Sequence, residues 1–184
     1  MNTFAARAPE SAAPARFTVE QFLRMIEMGI FPDEHVELVH GEIIQLSPAH
    51  SRHGMMISKA LKELFAFLPA EQLLVDSFLR LDDRSLRAFD ITVIHPGITP
   101  DEVLEPDQVL LGIEIAESSI ARDLGEKKRH YASAGIANYM VVDLNKKRVI
   151  LLTEPMQTDY RSVQEWQFGE IIQLPAGLGQ IRLA

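Results

Sequence analysis

Cysteine is absent from all 184 residues. That excludes disulfides, zinc sites built on thiolates and cysteine nucleophiles together, and it fits a reducing compartment. No apolar run approaches the roughly 20 residues that a membrane span needs. The N-terminus carries no apolar core of the secretory kind, so the expectation is a cytoplasmic protein. A basic excess is also lacking: 26 Asp and Glu stand against 18 Lys and Arg, for a formal net charge of -8. A nucleic-acid binder usually shows a basic footprint. Here the basic residues are local, at Arg80, Arg84 and Arg87, then at Arg122, Lys127, Lys128 and Arg129. They permit contact with a polyanion without arguing for it.

What is present is an ordinary globular mix, in a length that suits one domain with a sizeable core. Residues 1–16 are rich in Ala, Pro and Arg without periodicity, which reads as a disordered tail; residues 17–184 read as a single domain. Thr18 with Gln21 resembles a capping box opening a helix through Met28. Two strand-like runs flank His40-Gly41 as a hairpin. Apolar spacing from Met55 predicts a helix that Pro69 ends. Strands are expected over 73–81, 88–95, 109–116, 139–144 and 148–153, and a helix over 122–134 closed by Gly135. From Gln167 onward short strands are expected. Helix, hairpin, helix, three strands, helix and two strands describe an α/β (α+β) chain: a mixed sheet with flanking helices, and not a doubly wound series.

Three residues stand out in this frame. Glu114 lies inside Val109–Ala116, an almost wholly apolar strand buried on both faces. An ionised carboxylate there needs a partner. Its same-face neighbours, Gly112 and Ala116, are small and leave room for a ligand or metal; a structural ion pair with an arginine is the plain alternative. Asp90 is the lone acid of the strand around Ala88–Ile94, and two lone acids on neighbouring strands can converge into a hard-oxygen site suited to Mg²⁺ or Mn²⁺. Lys127 lies three residues after Leu124 and four before Tyr131, along the buried stripe of its helix, although Lys128 flanks that stripe too. Two acids, a metal and a lysine are what phosphodiester hydrolysis uses. His50 and His53 are spaced as H-x-x-H but lack further zinc ligands; His53 alone, near a helix start, could help hold a phosphate. Glu117 reads as a surface acid, and Met25, Met28, Met55 and Met56 as core filling.

Several segments together resemble the Uma-two family of restriction endonucleases, within the PD-(D/E)XK superfamily. They are Val36-Glu37-Leu38-Val39-His40-Gly41-Glu42, Ser47-Pro48 with Ser51-Arg52-His53, the Asp90 strand, Ile113 to Ser119, Arg122 to Lys127, Tyr131 to Ile136 and Tyr139 to Asp143. The resemblance runs from about Phe17 to Thr153. It implies a restriction-endonuclease-like core, with Asp90, Glu114 and the Ile115 carbonyl as metal ligands. Ala116 stands where the superfamily motif has its lysine, which makes Lys127 on the following helix the candidate. Glu37, His53 and Tyr131 match positions near the site, and Phe89 replaces a motif proline. The implied protein is a Mg²⁺-dependent endonuclease acting on DNA as a homodimer. A non-cleaving binding module on the same fold, or hydrolysis of another phosphate ester at the same metal site, are the alternatives.

Overall fold

A computed structural model describes residues 14–32, 35–47, 50–99 and 103–184. The first 13 residues of the expected tail therefore lie outside the described residues, as do Pro48 and Ala49 of the loop before the second helix.

Helix α1 spans Val19–Glu27 and opens on the expected capping box of Thr18 with Gln21. Its buried Val19 and Phe22 pack with Leu38 and Leu86. The hairpin β1 (Val36–Val39) and β2 (Glu42–Gln45) turns through His40 and Gly41, both at positive φ. Helix α2 runs over Ser51–Leu64, starting four residues before the expected Met55. Met56, Ala60 and Leu64 are its buried stripe, whereas Met55 is 60% exposed and Met28, at the end of α1, is 77% exposed, so neither is core filling.

The strands β3 (Leu73–Asp82), β4 (Ser85–Ile94), β5 (Val109–Ala116), β6 (Asn138–Asp143), β7 (Arg148–Pro155) and β8 (Tyr160–Gln167) complete one sheet in the order β2-β1-β4-β5-β6-β7-β8, with β3 on β4. Among these strands β5 and β6 pair in parallel and the other pairs are antiparallel. The parallel crossover is the segment α3 (Ile120–Arg122), a π-turn (Asp123–Lys127) and α4 (Lys128–Ser133). The expected helix over 122–134 is thus interrupted: the Lys128 amide donates to the Asp123 carbonyl five residues back. A small hairpin, β9 (Ile172–Gln173) and β10 (Gln180–Ile181), closes the chain. The mixed α/β architecture is as expected from the pattern. No helix among the described residues is long and apolar enough to cross a membrane.

Strand β4 positions the site. One edge pairs with β3 along its length, while the other meets β1 at Leu86 and β5 at Ile91–Ile94. Residues two apart on a strand normally share a face. Yet Ile91 and Val93 enter the core beneath α2, and Phe89 enters the core on the opposite side, against Tyr131 and Tyr139. The change of face falls at Asp90, opposite Asp76, whose φ is 48°.

Candidate active site

The β4–β5 register pairs Ile91 with Ile113; one step further along it sets Asp90 opposite Glu114. The strands part there. The Ile115 amide donates to Asp90 Oδ2 at 2.6 Å. The other oxygen, Oδ1, lies 3.0 Å from His53 Nε2, delivered by the first turn of α2. The hydrogen bond with Asp90 holds His53 above its ordinary pKa against the effect of burial, and the Ile115 backbone adds to the rise. His53, Asp90 and Ile115 therefore meet at one point.

Glu114 turns toward the π-turn and α4. Its Oε1 accepts from Lys127 Nζ at 2.7 Å and from the Tyr131 hydroxyl at 2.9 Å. Glu114, Lys127 and Tyr131 are all buried. Burial pushes the Glu114 carboxyl up to about 8 against the pull of the Lys127 ammonium. Burial also works to lower Lys127, but Glu114, Glu37 and Asp123 hold it above its ordinary value, so the ammonium stays charged. Lys127 neither snorkels nor competes with Lys128 for this place: Lys128 points out and pairs with Asp159 at 2.7 Å.

Glu37 completes the centre from β1. Its Oε2 accepts from Arg87 Nη1 at 3.1 Å, and its Oε1 lies 3.6 Å from Lys127 Nζ. Arg87 also pairs with Glu126 and is 1% exposed, so it is not the surface cation its neighbours in sequence suggested. The partner of Glu114 is a lysine and a tyrosine, and the arginine goes to Glu37 instead. The space beside Gly112 is filled too. A Cβ there would come within 2.2 Å of the Phe89 ring, so the glycine makes room for an aromatic side chain and not for a ligand. The Phe89 ring packs on Tyr131 with centroids 4.3 Å apart, which accounts for a bulky side chain at the motif's proline position. Glu117, expected as a surface acid, is met by the exposed Arg52 at 3.0 Å and His50 at 3.3 Å.

Asp123 was missed in the sequence. It is 1% exposed, four residues before Lys127, and its Oδ2 accepts from the Ser119 hydroxyl at 2.5 Å. Burial raises its pKa against Lys127. The available signal was the i, i+4 spacing to the inward lysine.

Carboxylates are in surplus here. Glu37, Glu114 and Asp123 are buried with Arg87 and Lys127, and Asp90 adds a fourth acid. Glu37 Oε1, Thr92 Oγ1 and Asp123 Oδ1 are buried and take no hydrogen bond among the described residues. Such a surplus of hard oxygen suits a hard divalent cation. Among the described residues, Asp90 and Glu114 belong to no group of three His, Asp or Glu ligand atoms lying within 4.8 Å of one another; that closeness is reached by His40, Asp82 and His130. The latter trio suits a cation poorly. Arg87 Nε donates to His130 Nδ1 at 3.4 Å, so the ring proton sits on Nε2, which faces Asp82 at 3.3 Å with no lone pair to offer.

The architecture is shared with a solved protein described as a putative nuclease belonging to DUF820 from Anabaena variabilis ATCC 29413. The two are 14% identical over 88% of this chain and 91% of that one, with a TM-score of 0.65. At this identity the likeness concerns the fold alone. Residues 19–184 match the family Uma2, described as "Putative restriction endonuclease", and the chain belongs to that family. No curated protein matches. The family supports a nuclease function.

Proposed function

We propose that the chain is an endonuclease that hydrolyses DNA phosphodiester bonds with the help of Mg²⁺ or Mn²⁺. The observation that carries this reading is the buried contact of Glu114 with Lys127 at 2.7 Å, beside an Asp90 bonded to the neighbouring Ile115 amide. Asp90, Glu114 and the Ile115 carbonyl would hold the cation, with water filling the remaining positions. When bound, it polarises the phosphate and makes a water nucleophilic near neutral pH. Lys127 supplies a fixed point charge toward the attacking water or the phosphate. Tyr131 anchors the Glu114 carboxylate, and His53 orients Asp90.

A non-cleaving binding or regulatory module on the same fold is favoured by a specific observation. Of the basic residues that would permit contact with a polyanion, Arg87 and Lys127 are buried, Arg80 pairs with Glu20 and Glu105, and Lys128 pairs with Asp159. Nicking of supercoiled plasmid in Mn²⁺ separates the readings. Asp90→Ala and Glu114→Ala should lose both Mn²⁺ uptake and nicking. Lys127→Ala should lose nicking by at least about 100-fold while still taking up Mn²⁺, by analogy with other charge-stabilising groups, and Lys128→Ala should nick normally. A wild type that binds DNA and Mn²⁺ but never nicks decides for the module.

A further inference from the structure

Lys127 has two carboxylates within reach and uses one. Glu114 Oε1 is 2.7 Å from its Nζ and Glu37 Oε1 is 3.6 Å away. The Glu37 oxygen is buried and accepts no hydrogen bond among the described residues. Its sister oxygen is held by Arg87 at 3.1 Å, and Glu37 and Arg87 are each 1% exposed. A buried acceptor without a donor is costly. This one is clamped by an arginine so that its free oxygen stays aimed near the lysine.

The metal reading above makes the same lysine a difficulty. If Glu114 ligates a divalent cation, its oxygen is drawn from Lys127, and a buried ammonium loses its nearest acceptor while a second positive charge arrives. An unpaired buried charge of this kind is strongly unfavourable. We propose that Glu37 is the second cradle of Lys127: the ammonium turns from Glu114 to Glu37 when Glu114 takes up a divalent cation, and Glu37 then positions the lysine for reaction. The movement needed is small, since closing 3.6 Å to an ordinary hydrogen bond takes less than about 1 Å. Glu37 touches neither cation nor substrate in this scheme; it acts through Lys127. The inference rests on the proposed metal role of Glu114.

The test is a double-mutant cycle read by Mn²⁺ calorimetry, with no cleavage required. Glu37→Gln keeps the shape and removes the charge. It should weaken Mn²⁺ binding by about tenfold or more, in the range seen when a group supporting a ligand is removed. In a Lys127→Met background, where there is no ammonium to rehouse, the same change should leave Mn²⁺ affinity unaltered. Equal weakening in both backgrounds, or none in either, overturns the inference. Should Glu37→Gln fail to fold, the wild type soaked in Mn²⁺ decides: Nζ within hydrogen-bond distance of Glu37 and withdrawn from Glu114 supports it, and Nζ still on Glu114 overturns it. A wild type that takes up no Mn²⁺ removes the metal reading and this inference together, whereas a wild type that binds with Lys127 unmoved removes this inference alone.

Discussion

Beneath α2 the sheet is lined with Ile91, Val93, Leu111, Ile113, Met140, Val142, Val149 and Leu151, closed by α2 and the β9–β10 hairpin. Above it, against α3 and α4, the buried side chains include Glu37, Arg87, Glu114, Asp123, Lys127 and His130. The first side follows the ordinary economy of folding: apolar area leaves water and nothing polar needs a partner. The second holds ions where their desolvation roughly cancels their attraction. One sheet thus divides its labour: both faces bury an apolar core, and the second also carries these buried ions, as expected where local rules are broken at functional sites.

The largest expected effect tests the charged face. Glu114→Met alone leaves the Lys127 ammonium short of its closest partner and should cost up to about 3–5 kcal/mol in urea unfolding. Ile113→Ala, on the apolar face, should cost about 2–5 kcal/mol through lost burial and a residual cavity, with Mn²⁺ uptake intact; a stability loss well below about 1 kcal/mol would break the division of labour. Glu114→Met combined with Lys127→Met should sharpen it, since removing both ions is expected to be neutral or stabilising by about 1–4 kcal/mol, in a protein without metal-dependent nicking. The smallest effect concerns His130. Burial lowers its pKa from 6.5, reinforced by Arg87 and His40 and opposed by Asp82. In the unfolded chain it takes up a proton near pH 6.5 that the folded chain refuses, so stability should rise with pH across the window from the depressed folded value to 6.5. Melts of the wild type at pH 5.5 and 7.5 should differ more than those of His130→Gln; an unchanged pH slope in the variant removes the claim.

The strands carrying Asp90 and Glu114 were legible because each is an apolar run broken by one acid, and Lys127 because it repeats the spacing of Leu124 and Tyr131. Local periodicity contains that much. It does not contain pairings between distant strands. Arg87 finds Glu37 only after β1 has joined β4; in the sequence it is one basic residue among several. The filling of the Gly112 space by Phe89 depends on the face change at Asp90, which period two cannot show. Strand β8 went unread. Its alternation is weak, in keeping with a strand that, among the described residues, pairs only with β7.

The π-turn between α3 and α4 is one residue of slack in an otherwise regular helix. Gly125, in its middle, has open space where a Cβ would stand, so a side chain there meets no obstacle. Deleting that same residue would make the bond from the Lys128 amide to the Asp123 carbonyl an ordinary four-residue one and close the turn into a regular α-helix. The two flanks would stay in phase, because the bond that joins them is kept. What would go is the swelling between Asp123 and Lys128 in which Lys127 sits. The bulge works as a spare link in the chain, and a single-residue deletion removes it without turning either end.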